Sequence, residues 1–305
     1  MMVPESISIS PRPGKTSTIA RIGAVMGDIK IAHTVFALPF ALLAAHLAFI
    51  SEGGYRTGTL IAILICMFTA RTAAMSFNRY LDRKLDSENP RTRNRSIPSG
   101  RARPFDALAV TIVCSLIFVG ACWYLGPLPL ILSVPTIAFL LAYSASKRFT
   151  VLTHLWLGSA LAISPTGAWI AVTGHWSWLP VVLSVAVAFW VAGFDVIYAL
   201  QDIDFDRENR IFSVPALVGE KGALWVARGM HFVSVIALVI FGWMAGLEWP
   251  YWTAIALVFI LLTIEHGIAR PGDNYRIGVA FFTMNGVISI VIYLSVLVST
   301  FVGPR

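Results

Sequence analysis

The sequence predicts an all-helical integral-membrane protein, and three observations lead there. Hydrophobic residues fill 57 % of the 305 positions and charged residues only 13 %, against about 25 % charged in ordinary soluble domains; mean hydropathy is +0.76. Apolar runs recur along nearly the whole chain, each long enough to cross a hydrocarbon core of about 30 Å. The charges lie between those runs, with the basic ones almost wholly on alternate connections.

Nine spans are expected, at about 31–50, 59–80, 105–125, 128–146, 152–173, 178–200, 222–244, 249–268 and 277–301. The second and sixth pass directly into polar sequence that keeps helical spacing, so those helices should project beyond the hydrocarbon layer. Residues 1–28 read as a polar cytoplasmic tail. They lack the short apolar core of a cleaved signal peptide, and Glu5, Pro11 and Pro13 do not suit an amphipathic targeting helix. Residues 29–305 read as one transmembrane domain.

Basic residues fix the expected orientation. One side collects Arg12, Lys15, Arg21 and Lys30, then eight Lys or Arg between 79 and 103, then Lys147, Arg148, Arg207, Arg210, Lys221, Arg228, Arg270 and Arg276. The other side has only Arg56 and Arg305. The richer side is cytoplasmic by the positive-inside rule, which places the N-terminus inside. The net charge of +7 therefore needs no nucleic-acid partner. Cys66, Cys114 and Cys122 all fall in apolar runs without metal-ligand spacing and read as small core residues.

Two charges lie within spans. Arg71 sits in the second and Asp195 near the end of the sixth. Each is costly in lipid and should face the protein interior; a structural ion pair between them is one reading, a functional site the other.

A repeat carries the chemistry. Asn78, Asp82 and Asp86 end the second span at spacings of four; Tyr198, Asp202 and Asp206 end the sixth in the same way. Asp82, Asp86, Glu88 and Asn89 each find their match 120 residues later, and Ser96-Ile-Pro98 is matched by Ser213-Val-Pro215. The copies stand four spans apart on the same side, as expected for an internal duplication facing one cavity. Residues four apart share a helix face, so Asn78, Asp82 and Asp86 form one ladder and Asp195, Tyr198, Asp202 and Asp206 a second. Clustered carboxylates repel, by on the order of 3 kcal/mol per pair at about 6 Å and an effective dielectric of 20, so a cation must offset them. The oxygen-only donor set, with no Cys or His near the acids in sequence, suits Mg²⁺ bound together with substrate phosphates rather than zinc. Tyr143 and Lys147, again four apart, with Arg148 beside them, could donate to phosphate or simply anchor a span end.

These residues resemble the UbiA superfamily of intramembrane prenyltransferases, over essentially the whole chain. The carrying features are Asn78, Asp82 and Asp86; Tyr143 and Lys147; Asp202 and Asp206; Arg71, seven residues before Asn78; and the loop Arg95-Ser-Ile-Pro-Ser-Gly100. The segment Lys30–Ala41, with His33 and Pro39, is most similar to the 4-hydroxybenzoate polyprenyltransferase-like branch, which includes enzymes of menaquinone synthesis by the futalosine route. The resemblance implies a helical fold around a central cavity, open to the cytoplasmic side and laterally to lipid. It implies that Asn78, Asp82, Asp86, Asp202 and Asp206 hold Mg²⁺ on a polyprenyl diphosphate, that Tyr143, Lys147 and Arg148 contact the diphosphate, and that Arg71 orients an aromatic acid acceptor. Asp195 is then a candidate base, and Tyr198 a substrate-binding residue. Ubiquinone or menaquinone biosynthesis in a bacterial cytoplasmic membrane is the implied setting, ahead of the mitochondrial inner membrane. An ion-coupled transporter is the alternative, since transporters share repeats and intramembrane charge, but they place ionisable groups near the midplane, whereas most acids here lie at the cytoplasmic edge. A CDP-alcohol transferase would need a DGxxAR run that this chain lacks.

Overall fold

The computed structural model describes residues 17–29, 34–269 and 272–302, and its regular elements are helical. In chain order these are α1 (Thr18–Asp28), α2 (Thr34–Ser51), α3 (Thr57–Glu88), α4 (Pro104–Leu125), α5 (Pro127–Ser146), α6 (Thr153–Thr173) and α7 (Trp178–Ala199). A 3₁₀ turn (Leu200–Asp202) then leads into α8 (Ile203–Glu208), followed by α9 (Val214–Met244), α10 (Trp249–Ile268) and α11 (Asn274–Val279). A π-helical turn (Ala280–Met284) joins α11 to α12 (Asn285–Val302).

The helix ends follow local chemistry. Prolines open α4, α5, α9 and α10, where the missing N–H costs nothing. Ser177 and Ser213 cap α7 and α9 through their side chains. Gly174, at φ 75°, ends α6 in a left-handed conformation that suits glycine. At 32 residues α3 is about 48 Å long, well beyond the hydrocarbon layer, as its polar continuation predicts.

Packing closes these helices around a cavity. α2 packs on α6 and α12, α3 on α4, α6 on α7, α7 on α9, and α10 on α12. Without a hydrophobic driving force in lipid, close helix approach depends on small residues. A Cβ at Gly158 of α6 would lie 2.1 Å from the Ala188 carbonyl of α7, and one at Gly193 of α7 would lie 2.3 Å from the His231 ring of α9. The outward faces carry exposed Ile112, Leu116, Ile131, Val134, Phe232 and Phe259, a surface suited to lipid tails.

The two ends of the bundle differ. At one, Arg56 donates to the Val172 carbonyl and exposed Trp123, Tyr124, Trp176, Trp178, Trp243 and Trp249 sit at helix termini, as aromatic side chains do at membrane interfaces. The other end gathers α1, the 89–103 loop, Lys147, Arg148 and the 209–213 loop.

Among the described residues eight helices are long and apolar enough to cross a membrane, where nine spans were expected; at the first expected span the described residues give a shorter apolar helix, Phe36–Ser51 of α2. The expected tail contains a docked helix: Val25 of α1 is fully buried against Ala102 and Ala107, Arg21 pairs with Asp106 at 2.9 Å, and Asp28 accepts the Ser96 N–H at 2.7 Å. Residues 1–16, Lys30, His33, Arg270 and Arg305 lie outside the described residues.

Candidate active site

The first aspartate ladder stands as its spacing predicts. α3 runs unbroken through Asn78, Asp82 and Asp86, with Asp82 only 2 % and Asp86 5 % exposed. Buried carboxylates need compensation, and each has more than one donor. Asp82 takes Lys147 Nζ at 2.5 Å, Arg148 Nη2 at 2.8 Å and Asn78 Nδ2 at 2.9 Å. Asp86 takes Arg95 Nη1 at 2.7 Å and Arg79 Nη1 at 3.4 Å. Arg148 also donates to the Ser144 carbonyl at 2.8 Å, near the C-terminal end of α5, where a cation is favoured.

The second ladder departs from expectation. α7 gives way at Leu200–Asp202 to a 3₁₀ turn before α8 resumes, so Asp195, Tyr198, Asp202 and Asp206 do not share one continuous stripe. Asp195 and Tyr198 face the central cavity. Asp202 instead meets the 89–103 loop: Arg91 Nε donates to Oδ1 at 2.9 Å, Arg91 Nη2 donates to Oδ2, and Asn89 Nδ2 reaches Oδ1 at 3.1 Å. Asp206 is buried, 8 % exposed, and accepts from Ser213. Burial is the strongest single influence on Arg91 and pulls against its charge, but the hydrogen bonds to Asp202 together with the charges of Asp202, Tyr198 and Asp86 outweigh it and hold its pKa above the ordinary arginine value.

Chain segments distant in sequence thus meet at one end of the bundle. The 89–103 loop bridges the two copies through Arg91, Arg95 and Asn89. The Phe212 N–H donates to the Lys147 carbonyl at 2.9 Å, which seats the second copy's loop on the end of α5. The offset that the aspartate repulsion requires is supplied within the protein by Arg79, Arg91, Arg95, Lys147 and Arg148. Among the described residues no three acidic, His or Cys side chains converge as a ready metal cage. Mg²⁺ often takes only one or two carboxylates and completes its shell with water and substrate phosphate. The hard oxygen donors of Asp82, Asp86, Asp202, Asp206 and Asn78 fit that chemistry.

Beneath this charged layer lies a cavity of about 770 Å³, walled by α2–α7. Arg71, Asn78, Arg79, Arg91, Arg95, Tyr143, Asp195 and Tyr198 contribute its polar positions, and the remainder is largely apolar. Cys66 and Cys122 touch in its wall with sulfurs 3.8 Å apart and both thiols free. Asp195 holds His154 of α6, whose Nδ1 lies 2.7 Å from Asp195 Oδ2. The Val214 N–H donates to His154 Nε2 at 3.2 Å, which leaves the ring proton on Nδ1, directed at Asp195.

Sequence reasoning missed Arg79, Asn89, Arg91, Arg95 and His154 as site residues. Of the four at 79–103, Arg79 and Arg91 carried only the signal of a basic stretch, Asn89 its match in the repeat and Arg95 its place in the Arg95–Gly100 loop. His154, a lone histidine 41 positions from Asp195, carried none.

Fold and site together define an integral-membrane helical protein with a deep apolar cavity capped by paired acidic and basic groups. The profile of the UbiA prenyltransferase family matches residues 37–287, and the chain belongs to that family. A 4-hydroxybenzoate octaprenyltransferase from Vibrio campbellii is 28 % identical over 249 residues, 82 % of this chain and 87 % of that protein. Among solved structures, the apo form of a UbiA homolog from Aeropyrum pernix K1 superposes with a TM-score of 0.79 at 31 % identity, covering 89 % of this chain and 99 % of that one. A UbiA homolog from Archaeoglobus fulgidus, bound to DMAPP and Mg²⁺, has a TM-score of 0.69 at 16 % identity, covering 93 % and 100 %; at that identity the likeness is one of fold. Membership in a prenyltransferase family replaces the transporter alternative.

Proposed function

We propose that this protein transfers a polyprenyl group from its diphosphate to the ring of an aromatic acid, with 4-hydroxybenzoate as the first candidate, in quinone biosynthesis. The observation that carries the reading is the set of basic side chains Arg79, Arg91 and Arg95, each paired with Asp86 or Asp202, that line the polar end of an apolar cavity of about 770 Å³, with Asp82 paired to Lys147 and Arg148. Such an end accepts a metal-bound diphosphate, and such a cavity accepts a hydrocarbon tail. The name of the Vibrio relative supports the acceptor, and the Mg²⁺-bound Archaeoglobus homolog supports the metal.

In the proposed reaction Asn78, Asp82, Asp86, Asp202 and Asp206 hold Mg²⁺ against the diphosphate. Bound there, Mg²⁺ neutralises charge on the phosphate oxygens. Arg91, Arg95, Lys147 and Arg148 turn their donors toward the same oxygens, and Tyr143 and Tyr198 flank them; donors aimed at developing charge are the main source of such catalysis. The allylic C1–O bond breaks, and its electron pair leaves with the diphosphate. C1 bonds to the ring carbon ortho to the hydroxyl, and the ring proton passes to Asp195, kept in place by His154. Arg71, on the cavity wall, pairs with the acceptor carboxylate. Products are the prenylated acid, diphosphate and one proton. The basic end faces the cytoplasm of a bacterial inner membrane, the tail 1–28 lies on that side, and residues 29–305 form the embedded domain.

The test is transfer by purified protein in liposomes with Mg²⁺ and a labelled polyprenyl diphosphate, offering 4-hydroxybenzoate and 1,4-dihydroxy-6-naphthoate separately. Product from 4-hydroxybenzoate alone is expected. Product from the naphthoate alone would move the protein to the menaquinone branch, and product from neither would contradict the transferase reading.

A further inference from the structure

The helix α1 grips, from outside, the loop that bridges the two aspartate copies, and it does so at three points. Asp28 Oδ2 accepts the Ser96 N–H at 2.7 Å. Val25 packs against Ala102 and Ala107. Arg21 pairs with Asp106 at 2.9 Å, and Asp106 accepts the Arg103 N–H at 2.8 Å as α4 begins. The Arg21 and Val25 grips therefore hold the far end of the loop, away from its arginines.

The Asp28 grip falls beside the chemistry. Ser96 is wholly buried, and a buried backbone N–H needs an acceptor. One residue earlier, Arg95 lines the cavity and donates to Asp86 Oδ1 at 2.7 Å. The chain is tightly turned here. The Arg95 N–H donates to the Thr92 carbonyl at 2.9 Å, the Ser96 carbonyl accepts the Ala102 N–H at 2.9 Å, and the Thr92 hydroxyl donates to the Asp86 carbonyl at 3.1 Å. A shift at Ser96 is thus passed directly to Arg95. Asp28 is also the last residue of α1, where the helix dipole disfavours a negative charge. Its contact with Ser96 accounts for an acid that the helix itself does not favour, and a hydrogen bond to an ionised acceptor is about twice as strong as a neutral one.

We propose that Asp28 is a positioning residue for prenyl transfer: through the Ser96 N–H it sets where Arg95 stands, and so how well Arg95 meets the diphosphate. The inference rests on the prenyl-transfer reading, in which Arg95 donates to the diphosphate oxygens. It makes α1 part of the construction of the site, although every residue of that helix lies outside the cavity wall.

The test is steady-state kinetics in liposomes on Asp28→Ala, Asp28→Asn, Arg21→Ala, Arg95→Ala and the Asp28→Ala, Arg95→Ala double variant. Asp28→Ala should raise KM for the prenyl diphosphate about tenfold, the scale of one lost hydrogen bond to a charged group, with KM for the aromatic acid unchanged. Asp28→Asn keeps an acceptor oxygen and should recover most of that loss. Arg21→Ala loosens the far grip and should leave the diphosphate KM near that of the unmodified protein. In the Arg95→Ala background, Asp28→Ala should raise KM no further, because residues acting through one contact are not additive. Where Asp28→Ala does not insert, Asp28→Glu, which keeps the charge and displaces the oxygen, carries the same cycle. Additive losses, no recovery in Asp28→Asn, or an Arg21→Ala effect equal to that of Asp28→Ala would overturn this inference alone. An unmodified protein that neither transfers nor binds a prenyl diphosphate would overturn it together with the reading beneath it.

Discussion

The two copies of the aspartate motif began alike and are used differently. In the first, α3 continues straight through Asp82 and Asp86, and both carboxylates are buried and multiply paired. In the second, the helix tightens at Leu200–Asp202, Asp202 turns to a loop of the first copy, and Asp206 meets Ser213. The matched asparagines diverge likewise. Asn89 crosses to Asp202 at 3.1 Å, whereas Asn209 bonds its own helix at the Phe205 carbonyl, 3.0 Å away. A duplicated sequence gives two similar walls; one site requires that one copy reach across to the other, and the 89–103 loop performs that reach.

Removing a carboxylate from either copy should have the largest effect. Asp82→Asn is expected to lower transfer by about 10²–10³-fold or more, the scale seen when a group stabilising transition-state charge is lost, with insertion and folding intact by gel filtration and circular dichroism. An Asp202→Asn loss far smaller than that of Asp82→Asn would break the symmetry of function that the sequence repeat implies.

Arg91 comes next, because it is the bridge. Arg91→Ala frees Asp202 and removes a diphosphate donor, so KM for the prenyl diphosphate should rise about tenfold, the equivalent of about 1.4 kcal/mol. Arg91→Lys should recover only part of this, since an ammonium cannot reproduce the two-pronged contact; full recovery would show that charge alone matters. His154→Ala should lower kcat more than it raises KM, because it releases Asp195 without removing a substrate contact, and steady-state kinetics separates the two.

The smallest effect divides the copies most sharply. Asn89→Ala removes one hydrogen bond from a carboxylate that Arg91 still holds, and should weaken diphosphate binding less than Arg91→Ala does. Asn209→Ala removes only a local contact and should leave activity within twofold. Equal effects would mean that the crossing contact has no special part.

Much of this was legible before the structure. The long α3 followed from polar sequence that kept a helical period, and its ladder followed from spacings of four. Within α9 the backbone breaks at Gly219, φ 72° and ψ 177°, so the long part of the helix begins close to the expected 222, and a short turn capped by Ser213 and opened by Pro215 precedes it. The docking of α1 rests on a few contacts, at Val25, Arg21 and Asp28, within a segment whose composition is that of a tail. The cations that neutralise the aspartates were visible as residues but not as partners: Arg91 meets Asp202 across 111 positions, and Lys147 meets Asp82 across 65. Periodicity speaks for contacts within a helix, and these pairings depend on how separate helices close on one another.

The central claim is that both copies serve one metal–diphosphate centre, and the most direct measurement is Mg²⁺-dependent binding of a non-hydrolysable prenyl diphosphate to the unmodified protein, Asp82→Asn, Asp202→Asn and the double variant in nanodiscs. The account predicts that each single variant loses Mg²⁺-dependent affinity as completely as the double variant, as residues acting as one unit do. Losses that simply add, each copy retaining its own Mg²⁺-dependent binding, would contradict it.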